Sequence, residues 1–494
     1  MNYVSTRSFG ISPVTSAEAI KQGLAPDGGL YMPTEIPALS ADELKALLEK
    51  SYPERAVCVL RKFLTDYTEE ELRLDCEAAY GEGRFPGGAA PLADIDGRVT
   101  ALELWHGPTS AFKDMALQIM PRLLSRALKK TGEDRTALIL VATSGDTGKA
   151  ALEGYRDVPQ TKIKVFYPVD GVSRVQKLQM MTQLGENVDV TAIKGNFDDA
   201  QNGVKAIFSD AETARELNSR GVFLSSANSI NWGRLVPQIV YYVSAYCDMV
   251  KRGSIAFGDM LDVCVPTGNF GNIFAAYIAK RMGVPLGKLI CASNKNHILA
   301  DFLASGVYDR NRDFFSTISP SMDILISSNL ERLLYLALGS ERCSELMREL
   351  AANGRYELAA DELSLIRRDF VGYWCDEERT AEAIRTSWRE NGYLCDTHTA
   401  VGYGAALAYL AENEGTPRLL LASTASPYKF ACDVYAALTH KPVSDELAAL
   451  SELERETNTR IPAPLSGIGE RTVRFEGVIT PSEMTEAALA FASR

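Results

Sequence analysis

TALILVATSGDTGKAALEGY, residues 136–155, decides the fold class. After Thr136 its next six residues form an unbroken apolar run, the pattern of a strand covered on both faces. SGDTG supplies a turn, and GKAALEGY has helical composition. A buried strand that turns directly into a helix is one half of a βα unit. The same alternation continues through KIKVFYPV and VSRVQKLQMMTQL, VDVTAI and FDDAQNGVKAIF, then LDVCVPTG, NIFAAYIAKRMG and KLICASN. Apolar strands separated by helices predict parallel sheets in an α/β fold.

Around this alternation the chain divides. Residues 1–90 read as a helix-rich N-terminal segment, and GEGRFPGGAAP, residues 81–91, reads as a linker. Residues 125–235 are expected to form a small α/β domain able to move. Residues 91–124 and 236–494 are expected to form a larger one. WGRLVPQIVYYVSAYCDMVKRG predicts a long helix, and the region from Glu331 to Glu390 reads as helical. AVGYGAALAYLAE then predicts a helix and RLLLAST a strand.

The 494 residues carry 52 basic and 64 acidic side chains, for a net charge of −12, with no basic run. That balance argues against nucleic-acid and membrane-surface binding. Nine scattered cysteines without a CxxC pair argue against zinc and dithiol chemistry and fit a reducing compartment. A cytoplasmic protein, monomeric or homodimeric and holding no metal, is expected.

Four stretches carry chemistry. In HGPTSAFKDMALQIM, residues 106–120, Lys113 sits among Ala111, Phe112 and Met115 near the start of a helix. Burial and the helix dipole both favour its neutral amine, the form that attacks a carbonyl. The plain alternative is a solvated lysine in a first turn. ATSGDTGKAA, residues 142–151, offers backbone amides and the hydroxyls of Thr143, Ser144 and Thr147 to an anion, or is simply a tight turn. It lacks the Walker A spacing, which speaks against a nucleotide kinase. PTGNFGNIF, residues 266–274, reads as a phosphate cup at a helix start. ASTASPYKF, residues 422–430, places hydroxyls at a strand end. An amine, a phosphate cup, an anion loop and a strand-end hydroxyl are together what pyridoxal phosphate requires. His106, Asp396 and His398 form no triad, and His398 reads as a helix cap.

In their order, STRSFG, GLAPDGGLYMP, HGPTSAFKD, ATSGDTG, SANSIN, GNFGN and DTHTAVG resemble the threonine synthases of the longer form. These are pyridoxal 5'-phosphate enzymes of fold type II, the tryptophan synthase β-like group. The resemblance implies two parallel-sheet α/β domains with an additional N-terminal segment. It implies conversion of O-phospho-L-homoserine and water to L-threonine and phosphate. It further implies that Lys113 binds the cofactor through its amine, and that Gly268, Asn269, Phe270, Gly271 and Asn272 cradle its phosphate. Thr424 would meet the ring nitrogen, and Thr143, Ser144 and Thr147 the substrate carboxylate. Asp146 would lie at the ring's 3-oxygen, either repelling it or sharing its proton. For the substrate's own phosphate the candidates are Asn228, Asn231 and Arg234, since a guanidinium grips phosphate bidentately. A surface salt bridge is the competing reading of Arg234. Lys149 and Lys429 stand beside the anion loops. Two rival functions remain: a phospho-lyase that releases 2-oxobutyrate, and a catalytically silent binding protein.

Overall fold

The strand expected from the opening stretch spans Thr136–Ala142 and the helix after it Asp146–Tyr155. The computed structural model describes residues 1–8, 12–143, 145–416 and 418–494. Thr136–Ala142 lies inside a five-stranded sheet, ordered Val478–Ile479, Val188–Ile193, Thr161–Pro168, Thr136–Ala142, Val222–Ser225, in which every pairing is parallel. A six-stranded sheet runs Phe370–Trp374, Leu286–Ser293, Leu261–Pro266, Leu419–Ser423, Val99–Glu103, Leu92–Asp94. Its strands are parallel except Leu92–Asp94, which turns back against its neighbour through the short Ile95–Arg98 connection. The fold is the expected one: two largely parallel sheets with helices packed against them.

The helix Trp232–Lys251 is buried along almost its whole length. Its apolar side chains join those of Gly271–Met282 and of the N-terminal helices in one continuous core. The N-terminal segment is tied down by polar contacts as well. Arg55 Nη1 donates to Asp248 Oδ1 at 2.7 Å, Tyr3 OH to the Phe63 carbonyl at 3.0 Å, and Arg7 forms a bidentate pair with Glu331. The helices Ala41–Leu47 and Glu69–Tyr80 each begin with a capping box, Ser40 with Glu43 and Thr68 with Glu71. Among the described residues no helix is long and apolar enough to cross a membrane.

Two expectations need correction. The region from Glu331 to Glu390 is not wholly helical, because Phe370–Trp374 is the edge strand of the larger sheet. Its sequence, FVGYW, is aromatic and β-branched but is embedded between two helix-rich stretches. The tail of the expected large domain, 236–494, instead reaches the smaller sheet. Val478–Ile479 pairs with Val188–Ile193, and Met484, Ala488 and Phe491 fill the core with Leu138, Leu140 and Phe166. Lys113 does stand at the start of a helix, as expected, but of a short one. It precedes the single turn Asp114–Leu117, and a separate helix, Met120–Lys130, follows.

Candidate active site

Each chemistry-bearing stretch lies at the carboxyl end of a strand, where open α/β sheets bind ligands. Two of them are stitched together. Phe112 N–H donates to the Thr424 carbonyl at 2.8 Å and Ser426 N–H to the Ser110 carbonyl at 3.0 Å, with a bridge between Ala111 and Ala425. Two turns distant in sequence thus place Lys113 beside Thr424. The Thr424 amide donates to Thr399 Oγ1 at 3.2 Å, and its hydroxyl has no partner among the described residues. Ser110, at φ 58°, makes the sharp bend that precedes the lysine.

The Lys113 side chain is only 11% exposed, and its Nζ lies 3.9 Å from Asp146 Oδ2. Burial lowers its proton affinity. Asp146 opposes that effect, while the charges of Lys429 and Arg234 add to it. Asp146 belongs to the helix of the smaller sheet and meets Lys429 from the larger one, with Nζ 2.5 Å from Oδ1. Gln176 Nε2 donates to the same oxygen at 2.9 Å. Burial would raise this carboxyl, but Lys429 and then Lys113 outweigh it and hold it well below the usual carboxylate range. Asp146 is therefore an anion here. Lys429 is fully buried and also donates to the Thr109 carbonyl at 3.1 Å. Lys149 turns elsewhere, into a network with Glu153 and Gln183.

The loop Gly268–Asn272 is shaped as a cup. Phe270 adopts φ 64° and caps the helix Gly271–Met282, whose first amides face the loop. Ser327 Oγ donates to the Gly268 carbonyl at 2.7 Å, and Asn329 Nδ2 to the Asn269 carbonyl at 2.9 Å. A Cβ at position 268 would lie 2.8 Å from the Ser321 carbonyl oxygen, so the close approach of these loops requires glycine. Asn272 Oδ1 receives the hydroxyls of Tyr241 and Tyr242 at 2.7 and 2.5 Å, while its Nδ2 is buried without a partner among the described residues. A phosphate in this cup would supply the missing acceptor.

The expected anion loop is only partly available. Thr143 Oγ1 accepts from the amides of Gly145 and Gly148, both at 3.0 Å, so Thr143 caps the turn. Thr147 is half-buried with no partner for its hydroxyl among the described residues. Ser144 lies outside the described residues. Gly145, at φ 144°, leaves no room for a side chain, because a Cβ would lie 2.5 Å from the Gln176 amide.

The candidates for a second anion site separate. Asn228 is exposed and accepts from the Ile230 amide at 3.2 Å within its own turn. Asn231 is buried and fully used, since Nδ2 donates to the Ile20 carbonyl at 2.9 Å and Oδ1 accepts from the Gly233 amide at 2.8 Å. Asn231 has no free end for a phosphate, and that reading is corrected; Asn228 keeps an Nδ2 with no partner among the described residues and stays a candidate. Arg234 differs. It is 5% exposed, so the surface salt bridge is excluded. Nη1 donates to the Ala227 carbonyl at 2.7 Å, and Nε has no partner among the described residues. Burial lowers its proton affinity, with a value of about 10.

His398 is fixed by structure. Its Nδ1 lies 2.9 Å from Asp396 Oδ1, and its Nε2 accepts from the Ser321 amide at 3.1 Å. Asp396, not His398, caps the helix Thr397–Glu412. Among the described residues no group of three or more His, Cys, Asp or Glu side chains is arranged to hold a metal. Sequence reading missed Gln176, Tyr241, Tyr242 and Asn329, which act on the site from other elements. The adjacent tyrosines in an apolar helix were the one signal available for any of them.

Residues 2–80 match the family model described as threonine synthase N terminus, residues 88–424 that of pyridoxal-phosphate dependent enzymes, and residues 399–471 that of the threonine synthase C-terminal region. The chain is 38% identical to the threonine synthase of Pseudomonas aeruginosa over 100% of its own length and 98% of that protein's. It is 41% identical to human threonine synthase-like 1 over 87% of its length, but spans only 58% of that relative. The crystal structure of the PLP-bound threonine synthase from Brucella melitensis superposes with a TM-score of 0.89 at 38% identity, covering 100% of both chains.

Proposed function

Since the chain belongs to the threonine synthase family of pyridoxal-phosphate-dependent enzymes, we propose that it converts O-phospho-L-homoserine and water to L-threonine and phosphate. The observation that carries this reading is Arg234. A buried guanidinium with an unpartnered Nε and no carboxylate beside it among the described residues fits a ligand that brings its own anion.

The residues present fit the cofactor. Lys113 offers a buried amine of lowered proton affinity to bind it, and the cup Gly268–Asn272 offers the orphaned Asn272 amide to its phosphate. Thr424 would offer its ring nitrogen a neutral hydroxyl. When bound, the cofactor supplies an electron sink for charge at the substrate α-carbon.

The remaining work falls to the chain. With cofactor and substrate bound, the Lys113 amine would be placed to take the proton from the α-carbon and to move protons at the β- and γ-carbons. Asp146 lies close enough to steady that amine whenever it is protonated. Arg234 would bind the substrate phosphate and its departing form. Thr147, with the start of the helix Asp146–Tyr155, would bind the carboxylate. Closure of the smaller sheet's domain over the larger would exclude stray water.

The test is direct. The purified chain with bound cofactor is incubated with O-phospho-L-homoserine, and threonine, phosphate and 2-oxobutyrate are measured. Threonine and phosphate in equal amounts are expected. 2-Oxobutyrate in place of threonine would assign a phospho-lyase, and no turnover would leave a binding protein. Borohydride reduction and peptide mapping should place the cofactor on Lys113, and Lys113→Ala should abolish both labelling and turnover.

A further inference from the structure

We infer that Tyr241 and Tyr242 are positioning residues that fix the Asn272 amide with its NH2 group facing the cofactor phosphate; the inference rests on the assignment of Gly268–Asn272 as the phosphate cup.

The two orientations of the Asn272 amide have opposite consequences. With Oδ1 toward the cup, a carbonyl oxygen would oppose an anion. With Nδ2 toward it, two N–H donors face the anion. The hydroxyls decide between them. Tyr241 and Tyr242 are both fully buried, and their oxygens converge on Oδ1 at 2.7 and 2.5 Å.

Each phenol has one hydrogen to give. That of Tyr241 has a second possible acceptor, Gln238 Oε1 at 3.1 Å. Gln238 is itself pinned, because its Nε2 donates to the Arg234 carbonyl at 2.7 Å and leaves Oε1 as the acceptor. The Tyr242 hydroxyl has Asn272 Oδ1 as its only partner among the described residues. Tyr242 is therefore the firmer of the two anchors.

The consequence is an Nδ2 that is buried and unpartnered on the first turn of the helix Gly271–Met282. The donor stands in the turn where the helix's first backbone amides have no partner within the helix. A phosphate held there satisfies all of them, and the tyrosines, which never touch it, act only through the amide.

The test compares two ligands, pyridoxal phosphate and pyridoxal, which lacks the phosphate. Dissociation constants for both are measured by absorbance and fluorescence titration of the full chain. The variants are Tyr242→Phe, Tyr241→Phe/Tyr242→Phe and Asn272→Ala. Phenylalanine keeps each ring in its packing and removes only the hydroxyl.

Both tyrosine variants are expected to bind pyridoxal phosphate about tenfold more weakly and pyridoxal unchanged, with Asn272→Ala at least as impaired for the phosphorylated ligand. If Asn272→Ala weakens pyridoxal phosphate but the double tyrosine variant binds both ligands normally, the inference is wrong and the cup stands. If the double variant weakens both ligands alike, the hydroxyls are merely structural and the inference is again overturned. If Asn272→Ala discriminates between the ligands as well as the parent does, the Asn272 amide does not meet the phosphate and the inference falls, although a cup of backbone amides would stand.

Discussion

The Lys429 ammonium lies 2.5 Å from the Asp146 carboxylate, and this pair joins the strand end of one sheet to the helix start of the other. Its two members are not equivalent. Asp146 has a second cation, Lys113, at 3.9 Å, whereas Lys429 has no other carboxylate within ion-pair distance among the described residues. Removing the acid therefore strands a buried charge, and removing the lysine does not.

Asp146→Asn should accordingly lower stability by about 3–5 kcal/mol, the usual cost of breaking a buried pair from one side. Lys429→Met should cost clearly less, and Asp146→Asn/Lys429→Met should regain much of the loss. Urea denaturation of the three variants in the cofactor-free chain measures the cycle. Equal costs for the two single variants would show that Lys113 does not support Asp146.

The pH dependence has two windows with opposite signs. Asp146 is held below its ordinary value near 3.8, so its contribution to stability is whole above that pH and is lost as the pH falls below it. Asp114 behaves in reverse. Burial pushes it up to about 7, against the hydrogen bonds from the Thr109 amide and hydroxyl and the charge of Lys429. Its contribution is whole below about 3.8 and is lost as the pH rises through about 7. Asp114→Asn, which cannot ionise, should therefore flatten the decline in stability between about pH 4 and 7 and leave the acid limb intact. Denaturant midpoints measured across that range check the sign, and an unchanged slope would remove Asp114 from the account.

The two threonines of the anion loop should separate stability from binding. Thr143 Oγ1 accepts from two amides, so Thr143→Val leaves both unsatisfied and should cost about 1–3 kcal/mol. Thr147 has no such duty among the described residues, so Thr147→Val should leave the melting temperature unchanged and raise the KM for O-phospho-L-homoserine several-fold. Thermal melts and initial rates on the same preparations suffice. A stability loss at Thr147 would show that its hydroxyl is structural.

The sequence showed βα units plainly where apolar strands abut glycine turns, as in residues 136–155. It hid Phe370–Trp374, because an aromatic edge strand flanked by helices carries no period that sets it apart. It hid the return of Val478–Ile479 to the smaller sheet, since two residues are too short to announce a strand. In the site, motifs identified residues whose backbone forms a turn, such as Gly268 and Gly145. They did not reveal how side chains are spent. Asn231 and Arg234 stand three residues apart in one motif, yet one has both polar ends bonded to backbone and the other keeps an unpartnered Nε. That difference arises from the N-terminal segment, which brings the Ile20 carbonyl to Asn231 across more than two hundred residues.

The same difference yields the sharpest contrast in the protein. Asn231→Ala removes a helix cap and leaves the Ile20 carbonyl without its donor, so it should lower stability by about 1–2 kcal/mol and leave the KM for the phosphorylated substrate unchanged. Arg234→Met should do the opposite. No carboxylate among the described residues depends on Arg234, and its burial already disfavours its charge, so an apolar side chain of similar length should cost no more than the one bond to the Ala227 carbonyl, about 1 kcal/mol. Loss of a charge-assisted contact to the substrate phosphate should meanwhile lower kcat/KM roughly 10- to 100-fold and weaken inhibition by inorganic phosphate in parallel. Arg234→Lys keeps the charge but not the fork, and should recover only part of this. Melting temperatures and steady-state kinetics decide the matter. If Arg234→Met were destabilised and retained parental kcat/KM and phosphate inhibition, Arg234 would be a structural residue, and the substrate phosphate would have to be held elsewhere.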